Sequence, residues 1–250
     1  MEKKVNFLVE WLQKQVKAAN MNGLIVGVSG GIDSAVAANL IKLAFPDHSL
    51  GVIMPIKNSA SDIEDAIKVV QQANLDHLIV DLTDIHERLL RQINVNLEEK
   101  NELRKEKIKL GDANLRARLR MSTLYAIANN YGYLVCGTDN KAEWYTGYFT
   151  KYGDGGVDLN PLVHLSKSEV REMARYLKVP ESVIAKKPSG GLWEGQFDED
   201  ELGVSYDAID RFLAGEKVKE EERNRIVRLH QQTEHKRNLP LMPPPFPDSL

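Results

Sequence analysis

The chain of 250 residues is long enough to bury a full core as one large α/β domain, and no stretch of it resembles an interdomain linker. A formal net charge of −3 gives no general reason to expect nucleic acid or an anionic membrane as a partner. The single cysteine, Cys136, excludes an intrachain disulfide and a cysteine metal cluster. We therefore expect one domain over residues 1–250, with a flexible tail from about residue 241.

The N-terminal segment has apolar residues at positions 5, 8, 9, 12 and 16, a spacing that predicts an amphipathic helix. It lacks the continuous apolar core and the small-residue cleavage site of a signal peptide. No run of residues approaches membrane-spanning length. We therefore expect a cytoplasmic protein.

The stretch GLIVGVSGGIDSAVAANLIKLA at 23–44 predicts a buried strand over 24–28, a glycine turn, and a helix that begins near Asp33 and Ser34. Glycines let an oxyanion approach bare N–H groups, and the amides of a helix N-terminus supply partial positive charge. The unit therefore predicts a phosphate-binding loop that needs no lysine.

The glycine turn matches neither a Walker A loop nor a dinucleotide fingerprint, because it lacks the spacing of both. Its Ser-Gly-Gly-x-Asp-Ser pattern resembles the signature of the PP-loop ATP pyrophosphatases, which split ATP into AMP and pyrophosphate while they adenylate a substrate. The hydroxyls of Ser29 and Ser34 suit a pyrophosphate group, and Asp33 suits Mg²⁺. The alternative is an ordinary glycine turn that Asp33 caps.

The residues that follow alternate between strands and helices. Strands are predicted at 49–55 and 77–81, with a helix at 61–73 between them. This alternation indicates parallel β-α-β units, whose ligands bind at the carboxyl ends of the strands. We therefore predict an α/β fold with a doubly wound, mostly parallel sheet flanked by helices, of the Rossmann-like, adenine nucleotide alpha hydrolase-like class.

Residues 84–109 are highly charged and indicate either a solvated pair of helices or a helix and a loop. Residues 114–132 predict a long helix whose apolar face includes Leu115, Leu119, Leu124 and Ile127. This face either packs on the core or forms a dimer seam, and the seam is the sharper hypothesis.

A fourth strand is predicted at 133–138, and a glycine-rich, polar and aromatic segment follows it to residue 162. Asp139, Asn140 and Glu143 lie within one helical turn, so we expect Glu143 to point back toward Asp33. Two carboxylates from adjacent strand ends are what a Mg²⁺ ion held mainly by ATP phosphates would use.

Ser166 and Glu169 have the spacing of a capping box, and Pro180 closes the helix that they begin. Lys167 falls at the first helical position, where the helix dipole disfavours a cation. It is either an exposed lysine or the partner of an anion. Residues 188–196 predict a mobile lid, and residues 219–230 predict a charged helix.

Five segments together resemble the ammonia-dependent NAD synthetases of the PP-loop group: SGGIDSAV at 29–36, NLRARLRM at 114–121, GTDNKAEWYTGYFTKYGDGGVDLNPL at 137–162, QFDEDELGVSYDAID at 196–210 and EHKR at 234–237. The resemblance covers nearly the whole chain. It implies that ATP adenylates the nicotinate carboxylate of deamido-NAD and that ammonia displaces AMP to give NAD. It also implies Mg²⁺ as the cofactor, ATP as a co-substrate and a homodimer with a shared substrate site.

The resemblance implies roles for residues as well. It places ATP on Ser29, Gly30, Gly31, Ile32, Asp33, Ser34, Thr138, Lys167 and Ser189. It places deamido-NAD on Asn114, Arg118, Lys151, Asp154, Asp158, His235 and Lys236. It places the metal on Asp33 and Glu143, and it gives catalytic roles to Asp33, Lys167 and Asp154.

Glutamine-dependent relatives carry an amidase domain with a cysteine nucleophile, and this sequence shows neither, so the resemblance implies free ammonia as the nitrogen donor. A separate glutaminase subunit stays open as its source. The alternatives are another PP-loop amidoligase, a tRNA thiolase, or a non-catalytic module that binds adenine nucleotides. The lone Cys136 and the net charge disfavour the thiolase.

Overall fold

The structure, a computed structural model, describes residues 1–189 and 197–246. Within these ranges, four strands form one sheet: β1 (Gly23–Gly27), β2 (Ser49–Ile53), β3 (His77–Ile79) and β4 (Tyr133–Cys136). Their order across the sheet is β3-β2-β1-β4, and every neighbouring pair is parallel. The predicted α/β fold with a parallel sheet is confirmed.

The helices follow the predicted alternation, with several short ones added near the carboxyl ends of the strands. In chain order they are α1 (Glu2–Ala18), α2 (Ile32–Ala44), α3 (Ala60–Gln72), α4 (Thr83–Glu99), α5 (Lys105–Tyr131), α6 (Lys141–Thr146), α7 (Lys167–Tyr176), α8 (Glu181–Ile184), α9 (Asp198–Leu202), α10 (Tyr206–Leu213), α11 (Glu220–Gln232) and α12 (Glu234–Arg237). In the part of the chain that the structure covers, no helix combines the length and the apolar character needed to cross a membrane.

Both faces of the sheet are covered, as the continuous apolar runs of its strands require. On β1, Leu24 and Val26 belong to the core layer that contains α1, α2 and α7, whereas Ile25 belongs to the layer that contains α5. Leu124 of α5 is buried in that second layer, and Ile127 packs against it. This part of the α5 face therefore packs on the sheet, whereas Leu115 and Leu119 are only half-buried, and the dimer seam on this helix stays a prediction.

The strand order reverses its direction of winding between β1 and β4, because β2 and β3 lie on one side of β1 and β4 lies on the other. The loop after β1 and the segment after β4 consequently meet at one edge of the sheet. Ligands of open α/β sheets bind in the crevice at such a switch point. The fold thus places the Ser-Gly-Gly loop beside residues 137–140.

A smaller apolar cluster joins α6, α9, α10 and α11, with Ala142, Leu202, Ile209 and Ile226 among its buried members. It positions the residues that follow the predicted lid against α6. Most of that lid, residues 190–196, and the last four residues of the predicted flexible tail lie outside the described residues. Residues 241–246 of the tail have no helix or strand and are exposed.

Candidate functional site

The loop after β1 is held in shape by its own serines. The Ser34 hydroxyl donates to the Gly31 carbonyl at 2.9 Å and lies 3.1 Å from the Ser29 hydroxyl. The Ser29 hydroxyl also accepts the Gly31 amide at 3.2 Å. Gly31 is the N-cap of α2, and no side chain caps this helix. The first-turn amides of α2 are therefore suited to an anionic ligand.

Gly30 allows this loop to approach α3 closely. Its φ of +81° is in the left-handed region. An added Cβ would lie 2.6 Å from the Asp62 carbonyl oxygen and 3.0 Å from the Ala66 amide nitrogen. A side chain at position 30 would therefore strain the backbone and collide with α3.

Asp33 and Glu143 converge on one ammonium group. Lys167 Nζ lies 2.6 Å from Asp33 Oδ2 and 3.1 Å from Glu143 Oε1, and the lysine is only 2% exposed. Asn140 Nδ2 donates to the other Asp33 oxygen at 2.9 Å. The expectation that Glu143 points toward Asp33 is confirmed. The alternative interpretation of Asp33 as a helix cap is wrong, because its carboxylate pairs with Lys167 and Asn140.

Burial and charge act in opposite directions on the pKa values of Glu143 and Lys167. Burial raises the pKa of Glu143 to about 7, although the charge of Lys167 works in the opposite direction. Burial also works to lower the pKa of Lys167, but the charges of Asp33 and Glu143 outweigh burial and raise it above its usual value. Lys167 is therefore a cation, and a second cation beside Asp33 and Glu143 would favour the ionised form of Glu143.

Within the described ranges, no group of three or more His, Cys, Asp or Glu side chains is arranged to hold a metal ion by itself. A Mg²⁺ ion at this site would take Asp33 and Glu143 as its protein ligands, and phosphates and water would complete its coordination. Magnesium in nucleotide sites commonly uses one or two carboxylates in this way. The convergence of both carboxylates on a single cation fits this donor set.

Tyr206 of α10 holds Glu143 from another direction. Its hydroxyl lies 3.1 Å from Glu143 Oε1 and 3.0 Å from Asp198 Oδ2. The Tyr148 hydroxyl lies 3.2 Å from the other Asp198 oxygen. These contacts connect α9 and α10 to the carboxylate on α6. Sequence reasoning passed over Tyr206 and Asp198, because an isolated tyrosine or aspartate has no spacing that marks it.

A family model described as NAD synthase matches residues 4–240. This chain belongs to the NAD synthase family. The NH(3)-dependent NAD(+) synthetase of Alkaliphilus oremlandii (strain OhILAs) is 52% identical to it over 97% of both chains. That of Alkaliphilus metalliredigens (strain QYMF) is 53% identical over 96% of this chain and 97% of the relative. The family inferred from the five sequence segments is confirmed.

Two solved structures share the fold of this chain. An NMN synthetase from Francisella tularensis is 40% identical, with a TM-score of 0.88 over 97% of this chain and 98% of its own. An NH3-dependent NAD synthetase from Campylobacter jejuni, in complex with the nitrate ion, is 29% identical, with a TM-score of 0.77 over 96% of this chain and 98% of its own. The likeness therefore extends over the sheet and both helical layers.

A second group of predicted residues connects α5 to the C-terminal helix α12. Asn114 Oδ1 accepts the Thr150 hydroxyl at 2.9 Å, and Arg118 donates to the Lys151 carbonyl at 3.3 Å. Lys151 Nζ in turn donates to the His235 carbonyl. The structure thus brings together residues that lie far apart in the sequence and that the resemblance places on one substrate.

Lys236 and Asp154 belong to the same group. Lys236 Nζ donates to the carbonyls of Gly147 and Phe149 at 2.8 and 2.6 Å. Burial lowers the pKa of Lys236, while the charge of Asp154 works to raise it. Asp154 is exposed and accepts the Thr150 amide at 3.0 Å. This carboxylate therefore lies on a surface that a substrate can reach.

The other predicted site residues have different surroundings. Asp158 accepts the Val135 amide at 2.8 Å and a tyrosine hydroxyl of α5 at 3.0 Å, so its carboxylate holds β4 to its neighbours. The Ile32 side chain is buried in the core, which leaves its backbone for ATP. Thr138 is half-buried just after β4, and Ser189 is exposed at the end of the first described range. Ligand contacts by these residues stay predictions.

Proposed function

We propose that this site adenylates the nicotinate carboxylate of deamido-NAD with ATP and then transfers ammonia to the acyl adenylate. The products are NAD, AMP and pyrophosphate. The convergence of Asp33, Glu143 and Lys167 beside the uncapped N-terminus of α2 carries this proposal. Activation is required because a carboxylate is a poor electrophile, whereas AMP is a good leaving group. Ammonia-dependent NAD synthetases at 52% and 53% identity support the same reaction.

In the first half-reaction, the phosphates of ATP bind the loop 29–34 and the first-turn amides of α2. Asp33 and Glu143 would hold Mg²⁺, which would neutralise charge on the pyrophosphate. Lys167 adds positive charge at the same place, because its pKa is raised. The substrate carboxylate itself attacks the α-phosphorus, so the protein contributes positioning and electrostatics rather than a nucleophile.

The substrate group binds deamido-NAD in this proposal. Arg118, Lys151 and Lys236 come from three different parts of the chain, and the structure ties these parts together. Cationic side chains in one cluster suit the pyrophosphate of a dinucleotide. Asp154 acts in the second half-reaction, in which it attracts ammonium and accepts a proton from it.

The protein is a homodimer in this proposal, and α4 together with β3 supplies the contact. Ile85, Leu89 and Ile93 lie along one stripe of α4, and they and Ile79 of the neighbouring edge strand are between 40% and 56% exposed. Such an apolar stripe on a helix indicates a partner surface. We assign this surface to a second copy of the chain, because in a two-fold dimer the same surface of both subunits forms the contact.

Nicotinate mononucleotide is a second candidate substrate. The Francisella relative is an NMN synthetase, and it is similar to this chain at a TM-score of 0.88. The product named for that relative is a mononucleotide, which lacks the adenylate half of NAD. The two candidate substrates therefore differ in that half. Adenylation and amide transfer are the same for either substrate.

One experiment tests the reaction and its substrate. Purified protein is incubated with ATP, Mg²⁺, ammonium and deamido-NAD, and the products are measured by mass spectrometry. We expect NAD and AMP in equal amounts. Parallel reactions contain nicotinate mononucleotide or xanthosine monophosphate, the latter as the substrate of another PP-loop amidoligase. A higher kcat/KM for nicotinate mononucleotide than for deamido-NAD would identify the mononucleotide as the substrate. AMP without any amide product would contradict the proposal.

A further inference from the structure

Asp139 follows β4 at the switch point and is only 4% exposed. Its Oδ2 atom is buried and has no hydrogen-bond partner among residues 1–189 and 197–246. The nearby carboxylates of Asp33 and Glu143 both have such partners. A buried carboxylate oxygen without a donor is costly, and few occur in native proteins. Within residues 1–189 and 197–246 nothing donates to this oxygen, so it can accept a donor from a ligand.

The surroundings of Asp139 are strongly negative. Burial holds the pKa of Asp139 well above its usual range, and the charges of Asp154, Glu143 and Asp33 raise it further in that order. Only Lys236 is among the leading influences that work in the opposite direction. A bound cation would relieve both the burial and the repulsion.

We propose that Asp139 is the inner ligand of the ammonium ion that supplies nitrogen, with Asp154 as its outer, exposed partner. This inference rests on the proposed function. Ammonium has four N–H donors and no acceptor, so two carboxylates complement it, and Asp139 Oδ2 gains a donor where the described residues provide none. The Asp154 carboxylate lies in the substrate group, where it accepts the Thr150 amide, whereas the proposed ligands of Mg²⁺ are Asp33 and Glu143. This places the nitrogen donor on the side of the substrate group.

The transfer step balances with these two carboxylates. Ammonium passes one proton to the exposed Asp154, which returns it to solvent. The freed lone pair forms the C–N bond with the acyl carbon, and the C–O bond to AMP breaks with its electron pair leaving on the phosphate. A second proton then leaves the nitrogen for solvent and the neutral amide remains. Asp139 holds the nitrogen in place throughout.

The variant Asp139→Asn tests this assignment, because it keeps the size of the side chain and removes its charge. We expect the KM for ammonium to rise about tenfold or more, the effect of losing one charge-assisted hydrogen bond. ATP–pyrophosphate exchange in the presence of deamido-NAD should stay close to that of the parent protein. Hydroxylamine is uncharged at neutral pH, so its use as the nucleophile should be affected much less than that of ammonium.

The matched control is Asp207→Asn, an exposed carboxylate on α10, which should change none of these values. Removal of a buried charge from a negative cluster should also keep or raise the Tm, and Asp139→Ser provides a second variant. An unchanged KM for ammonium in the folded variants would overturn the inference. Loss of exchange with a higher Mg²⁺ requirement would also overturn it and place Asp139 on the metal. A parent protein that forms no NAD or AMP would instead refute the proposed function itself.

Discussion

Asp33 and Glu143 share Lys167 as their cationic partner, and this sharing predicts the effect of removing either charge. Asp33→Asn or Glu143→Gln should lower Mg²⁺-dependent AMP formation by about two to three orders of magnitude, because a neutral amide is a poor Mg²⁺ ligand. The fold should persist, since Lys167 keeps one carboxylate. AMP release across a Mg²⁺ titration and circular dichroism measure the two effects.

Glu172→Gln is the control for these variants, because Glu172 is exposed on α7 and is given no role in the site. It should behave as the parent protein at every Mg²⁺ concentration. Activity of Asp33→Asn or Glu143→Gln within a few-fold of this control would contradict the assignment of these two residues as Mg²⁺ ligands.

Gly30 provides a test of the phosphate loop. Gly30→Ala should lower the Tm and raise the KM for ATP, because the left-handed backbone costs an L-residue about 1–2 kcal/mol and the methyl group would meet α3. Gly111→Ala is the matched control, since an added Cβ there meets no atom within 4 Å. Alanine should be neutral or stabilising at that helical position. A Gly30→Ala protein with the parent Tm and KM would show that the loop does not need this conformation.

How much of the site was predictable differs from residue to residue. Asp33 and Glu143 could be paired from the sequence because each follows a strand, and parallel strands end at one edge. Tyr206 contacts Glu143 across 63 residues, so only the folded chain reveals the bond. Asp139 stands out through its burial and through an oxygen that has no hydrogen-bond partner in the described part of the chain, and neither is visible in a sequence.

At the scale of elements, the apolar strands were predicted well and their ends less well. The strand expected over 133–138 ends at Cys136, because the Gly137 amide bonds to the Leu159 carbonyl and the chain leaves the sheet. Helix α5 begins at Lys105 rather than near residue 114. Its first turns are charged and solvated, so they lack the apolar periodicity on which the prediction depended.

Helix α10 offers a test of whether the segment after the predicted lid supports the metal ligands. Tyr206→Phe removes the hydroxyl that reaches Glu143 and Asp198 but keeps the ring in its apolar cluster. Loss of this hydrogen bond, worth about 1 kcal/mol, should raise the Mg²⁺ concentration needed for half-maximal activity about fivefold. The KM for ammonium should stay unchanged. Mg²⁺ and ammonium titrations of the full reaction separate the two values.

Tyr131→Phe, at an exposed position on α5, is the control for Tyr206→Phe and should match the parent protein. If Tyr206→Phe shifts both requirements equally, then the hydroxyl supports general stability rather than Glu143. A parent-like Mg²⁺ requirement would show that α10 does not position the carboxylate.

For the whole molecule, the sheet order explains why residues separated by more than 100 positions form one site. Asp33 and Asn140 meet because β1 and β4 are neighbours at the point where the winding reverses. Lys167 reaches the same place from α7, which packs on α2. The alternation of strands and helices predicted this architecture, whereas the full strand order β3-β2-β1-β4 required the structure, because strand order is not encoded in local periodicity.

The exposed apolar stripe of α4 gives the last prediction, which concerns assembly. Light scattering should show a dimer, and Leu89→Lys should shift it toward the monomer, because a lysine in the centre of an apolar contact buries an unpaired charge. Phe7→Lys is the control, since Phe7 is 66% exposed on α1, in the helical layer on the other face of the sheet. It should leave the dimer intact. A parent protein that is monomeric and fully active would refute a shared site, and a dimer broken only by Phe7→Lys would move the contact to α1.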